Sequence, residues 1–220
     1  MKLIRPVSLL LFSVFLISAT NKEGCKGKQK TITLQNQNEV FDTHLGYHEG
    51  HAPNANNNLG TSEELPIFSW TVHGYPVTGR ALIKFDLSSI PTKSKIISAK
   101  LSLFGMPVKY PSFAIPQGNQ GDNKIVLQQV IEDWDENIAT WNNQPASTPD
   151  GQVELSASLA QWNFDYTNVD VTNLINQMRS TNNYGFKILL SNETTYRSIG
   201  FLSSEYPDNA KNPKLVITYK

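Results

Sequence analysis

Apolar and polar side chains alternate from Arg80 onward. Ala81, Ile83, Phe85 and Leu87 fall on one side of a period-2 pattern, and Arg80, Leu82, Lys84 and Asp86 fall on the other. The first set predicts a core-facing strand face. The second, with two cations in line, predicts a wet one. Pro91 stops the strand, because proline cannot donate to a ladder. Alternation resumes over 96–104, and shorter runs at 31–34, 39–42, 65–72, 124–130, 164–169, 185–190, 198–202 and 214–219 read as further strands, with a weaker one at 155–162. Polar stretches at 46–64, 105–122 and 134–145 read as long loops, and 73–79 as a turn. Only 170–179 has helical spacing: Val171, Leu174, Ile175 and Met178 form one stripe behind Asp170 or Thr172 as cap. The expected fold is all-β, a jelly-roll sandwich with one short helix.

The 220 residues divide into three segments. Lys2 and Arg5 precede the apolar run 7–19, which has the form of a signal peptide over 1–24 and is short for a membrane span. Residues 25–30 form a linker or lipid tether, and 31–220 a single domain. Cys25 is the only cysteine, so no internal disulfide forms. Its place behind an export segment makes it a candidate lipidation site, as in a bacterial lipoprotein; a free thiol in a tether is the alternative. The chain is thus expected to be secreted or held at a bacterial cell surface, with an outer-membrane lipid anchor and surface-complex partners as options. Removal of Lys2, Arg5, Lys22 and Glu23 from the 19 basic and 19 acidic side chains leaves 16 against 18. That balance argues against nucleic acid as a partner.

The ordered segments RALIKFDLSSIP, IISAKLSLFG, WDENIATWNNQPA, VDVTNLINQ, NYGFKILL and NPKLVITY resemble the DNRLRE-domain family, which overlaps carbohydrate-binding module family 96. The resemblance runs from about residue 40 to the C-terminus. It implies a β-sandwich on exported bacterial proteins and a role in binding polysaccharide, with alginate the best-known ligand class. Family members are often joined to lyases or adhesive proteins. No catalytic partner domain is visible here, so a free-standing binder or a subunit of a larger assembly is expected.

Candidate ligand contacts follow from residue chemistry. Arg80, Lys84, Lys100 and Lys187 all lie on outward sides of predicted strands and form one patch if those strands are neighbours; ordinary solvated sheet faces are the alternative. An arginine fork matches a uronate carboxylate in two-point contact. Trp70, Tyr75 and Tyr110 sit at strand ends or in loops where sugar rings stack, whereas Trp141 and Trp162 read as loop anchor and core. Glu39 and Asp42 are the candidates for one structural calcium ion, although no spacing matches a calcium loop. Asp86 and Asp170 read as turn and helix caps. His44, His48 and His51 share a loop broken by Gly46, Gly50 and Pro53, and lack the spacing of a zinc helix. The first functional reading is a non-catalytic binder of acidic polysaccharide. A structural or adhesive subunit is the second. A small polysaccharide lyase using His73, Tyr75 and Arg80 is the third.

Overall fold

The computed structural model describes residues 28–107, 118–158 and 161–220. Its strands are β1 (Lys30–Leu34), β2 (Val40–His48), β3 (Glu64–Val72), β4 (Tyr75–Phe85), β5 (Ile96–Leu103), β6 (Ile125–Val130), β7 (Ser147–Leu155), β8 (Tyr166–Asp170), β9 (Phe186–Leu190), β10 (Arg197–Leu202) and β11 (Lys214–Tyr219). One helix, α1 (Thr172–Ser180), joins them.

Two antiparallel sheets result. The smaller runs β1-β11-β5-β8 and the larger β10-β3-β4-β9-β6-β7. Along one edge β4 pairs with β2 from Val77 to Phe85. On the other edge, Tyr75–Gly79 pairs with β3 and Ala81–Ile83 with β9. The larger sheet therefore divides around β4 and curls.

Alternation fills the space between the sheets. Ala99, Leu101, Leu215 and Ile217 come from one sheet, and Ala81, Ile83, Phe85 and Ile188 from the other. The predicted helical stripe, Val171, Leu174, Ile175 and Met178, packs into the same core. Asp170 holds the helix entrance by accepting from the Thr172 amide and hydroxyl, and Asp86 accepts from the Ser88 amide. The all-β sandwich with one short helix is as the sequence predicts.

The weaker strand expected at 155–162 does not form, since β7 ends at Leu155 and the described residues 156–158, 161 and 162 lie outside strands. Three further segments differ. Polar residues 46–64 are not one loop: β2 runs to His48, and two 3₁₀ turns, broken at His51, span Glu49–Asn56. The predicted turn at 73–79 contracts to His73 and Gly74, both at positive φ (50° and 85°), and 75–79 joins β4. That is the hairpin geometry whose twist matches the flanking strands. β7 carried no periodic signal because it is a mostly exposed edge strand with little apolar content.

Candidate functional site

Cross-strand partners share a sheet face. The register of β2 on β4 therefore places Phe41 beside Lys84, Thr43 beside Leu82, Leu45 beside Arg80 and Tyr47 beside Thr78. This outward face is not wet. The 131–146 segment folds across it, and Leu45, Leu82, Val130, Trp134 and Ala139 form a second apolar cluster beneath, with Phe41, Trp141 and Tyr184 packed against it. Trp134 Nε1 donates to Tyr184 O at 2.7 Å, and Asn143 Oδ1 accepts from both the amide and hydroxyl of Thr140. The two tryptophans of the WDENIATWNN motif thus clamp a lid onto the sheet.

The structure brings three of the four predicted cations to this face, where the lid's underside and Glu193, from the β9–β10 connection, occupy them. Arg80 Nε and Nη2 donate to the two Glu193 carboxylate oxygens at 2.7 and 2.8 Å. Its guanidinium lies 4.6 Å from the Trp141 ring centre, and Tyr47 stacks on Trp141 at 5.4 Å. Lys187 is buried and donates to Gln144 Oε1 and Pro145 O; burial, with Arg80 nearby, lowers its amine to about 8. Lys84 donates to Trp134 O at 3.3 Å and lies over the Phe41 and Trp134 rings. Asp135 and Glu136 share its small cleft, which makes the surroundings acidic.

Lys100 does not join them. It lies in β5 on the other sheet and pairs with Asp170 at 2.9 Å; hydrogen bonds from Thr172, then Lys100, hold the Asp170 carboxyl far below the usual range. The expectation of one four-cation patch is corrected on this point. A period-2 pattern fixes the face of each cation, but not which sheet its strand enters.

Lys100 has other company. It is paired in register with Val216, and Lys214 lies two residues along β11, so both project from the same outward face. The Lys214 and Lys211 ammonium groups lie 5.6 and 5.1 Å from the Phe104 ring centre. Phe164, 42 % exposed, lies next to Gly105. Lys211 is 3.9 Å from Asp165, whereas Lys214 enters no ion pair among the described residues. The result is a lysine strip along the outer face of the smaller sheet and the turn leading into β11, with aromatic surface at its end. Sequence reasoning passed over Lys211, Lys214 and Phe104. The alternation in KLVITY already puts Lys214 on the outward side with Val216 and Thr218.

Of the predicted stacking residues, Trp70 is half-buried with its ring edge-on to Tyr196 at 5.0 Å. Tyr75 is 53 % exposed and lies against the backbone of Gly50. Tyr110 and Cys25 lie outside the described residues.

Both candidate calcium ligands accept hydrogen bonds from backbone amides. Glu39 Oε2 accepts from the Gln35 and Asn36 amides and so closes the β1–β2 turn. Asp42 is buried and accepts from the Ser204 amide at 2.8 Å; burial raises its carboxyl to about 8. Asp42 Oδ1, Ser204 Oγ and Asn212 Oδ1 are buried without hydrogen-bond partners. Among the described residues no cluster of three or more His, Cys, Asp or Glu is arranged to hold a metal.

Residues 51–219 match carbohydrate-binding module family 96. The chain belongs to that family. No curated protein matches it. As a family 96 module it is a carbohydrate-binding domain, and the motifs that carried the resemblance now have structural roles. RALIKF lies in the central strand β4, WDENIATWNN in the lid, and IISAKLSLFG and NPKLVITY supply Lys100 and Lys214 of the strip.

Proposed function

We propose that the chain is an exported, non-catalytic polysaccharide-binding module for acidic glycans such as alginate, and that the glycan lies along Lys100, Lys214 and Lys211 with a sugar face against Phe104. The family match supports the ligand class. The observation that carries the acidic preference is the pair of lysines over one aromatic ring, Lys214 being outside any ion pair among the described residues. A uronate chain carries its carboxylates in a row, and Lys100 on β5, Lys214 on β11 and Lys211 in the turn before β11 offer cations from neighbouring segments. Each charge-assisted bond contributes about 1.5–3 kcal/mol at best, less at an exposed site. The signal-like start and Cys25 support export and a lipid anchor at the cell surface. Arg80, which a lyase would need to neutralise a uronate, is tied to Glu193, and this favours binding without cleavage.

Affinity electrophoresis in gels containing alginate, pectin or a neutral glucan tests the reading. Retardation by the acidic glycans, weakened in the Lys211→Ala/Lys214→Ala double variant, is the expected result. Equal mobility in every gel points instead to a structural or adhesive subunit. The ultraviolet absorbance of unsaturated uronate appearing on incubation makes the protein a lyase.

A further inference from the structure

A pocket of about 220 Å³ opens on the core-side face of β2 and β4, beyond the end of the main core. Residues 54–59 roof it, and none of its described lining residues comes from the four-stranded sheet. Its walls are mostly apolar, with Leu59, Phe68, Val72 and Val77. Two imidazoles interrupt them. His44 is 6 % exposed, and its Nε2 has no hydrogen-bond partner; His48 Nε2 is likewise buried and unpartnered. A Cβ on Gly46, another lining residue, would stand 3.3 Å from His44 Cε1 and 3.6 Å from Nε2, so this edge of the ring faces the cavity over bare backbone. Native interiors rarely leave such nitrogens unpaired. Both histidines precede the segment that matches the family.

We propose that this pocket is a second glycan subsite, one that receives a single uncharged pyranose ring whose hydroxyls bond the Nε2 atoms of His44 and His48. The volume is below the roughly 300–1,000 Å³ that encloses a drug-sized molecule, so it suits one ring rather than a chain. A sugar offers what the walls require, a C–H face for Phe68, Val72 and Val77 and a hydroxyl edge for the imidazoles. A hydroxyl both donates and accepts, so it meets either tautomer. An anion finds no counter-charge, because no lysine or arginine is among the described lining residues and burial holds His44 neutral. A metal ion finds too few ligands. The identity of the ligand as a sugar rests on the reading of the chain as a glycan binder. The placement of the pocket does not depend on the lysine strip.

The test is nuclear magnetic resonance of the histidine ring nitrogens in the described domain with its native N-terminal segment. The probes are D-glucose, D-galactose, D-mannose and N-acetyl-D-glucosamine, with sodium D-mannuronate as the anionic control. Saturable shifts of both Nε2 signals with at least one neutral sugar are expected. They disappear in Gly46→Val, which fills the cavity, and in Val72→Trp, which blocks it from an exposed position that tolerates the change. Lys211→Ala/Lys214→Ala leaves them intact. Absence of a shift with every neutral sugar, in protein still retarded by alginate, overturns the subsite and spares the strip. A response to mannuronate alone also overturns it. Shifts with a neutral sugar but no retardation by acidic glycans uphold the subsite and defeat the strip.

Discussion

Arg80 and Glu193 meet through two parallel N–H···O bonds, 113 residues apart in sequence. A guanidinium fork held this way has its best carboxylate-binding edge occupied. Gln144 Oε1 accepts from both Arg80 and Lys187 and draws the lid onto the same pair. Arg80→Ala is therefore expected to leave alginate retardation unchanged while lowering stability by about 1–3 kcal/mol, read from chemical denaturation. Loss of retardation at unchanged stability would return Arg80 to the binding site.

The lid covers a core of its own. Leu82 is completely buried beneath Trp134 and Ala139, on the face opposite the main core. Leu82→Ala should cost about 2–5 kcal/mol, as for a core leucine. A cost below about 0.5 kcal/mol, typical of a surface position, would show that the lid does not stay closed in solution.

Two buried groups, His44 and Asp42, dominate the pH dependence between about 4 and 8. Burial lowers His44 from 6.5 to about 4, so between those values the unfolded chain binds the extra proton and stability falls on acidification. Burial raises Asp42 from 3.8 to about 8, so the folded chain binds the extra proton there and stability falls as pH rises. The two slopes oppose each other from about 4 to 6.5, and Asp42 dominates up to about 8, with Glu136, which burial also raises, acting in the same direction. Thermal unfolding should accordingly show little dependence on pH from about 4 to 6.5 and a decline from there to about 8, above which Lys187, whose amine burial lowers to about 8, gives the opposite slope. Asp42→Asn should abolish the decline and expose the His44 slope. A decline that persists in that variant refutes the assignment.

Binding through exposed lysines is screened by salt. The screening length falls from about 10 Å at 0.1 M to about 3 Å at 1 M. Alginate retardation should weaken steeply over that range, whereas histidine shifts induced by a neutral sugar should hardly change. Salt-independent retardation would move the acidic glycan away from the strip.

The sandwich was legible because its core strands obey strict alternation: Ala81, Ile83 and Phe85, or Leu215 and Ile217, can only be placed inward. The helix was legible for the same reason at a different period. The functional surface was legible only in part. Arg80, Lys84 and Lys187 read as solvated because no periodic signal announces that residues 131–146 return to cover them; that contact rests on Trp134, Trp141 and Asn143, which lie in irregular backbone. Lys100 was misplaced among them because strand order is a long-range property. The pocket histidines were assigned to a loop because glycines at 46 and 50 and Pro53 look like chain breakers, yet β2 continues through Gly46.

β7 closes one end of the larger sheet, and its pairing is irregular. Leu127 faces Val153 and Gln129 faces Thr148, so five steps along β7 correspond to two along β6. The surplus falls at Pro149, Asp150 and Gly151, where the backbone at Gly151 turns to a φ of 71°. An incoming strand would meet a proline without an N–H, a charge and a kink. That edge is thereby protected from zippering onto the edge of another copy, so that copies crowded together on one carbohydrate surface do not extend this sheet from β7 into fibres.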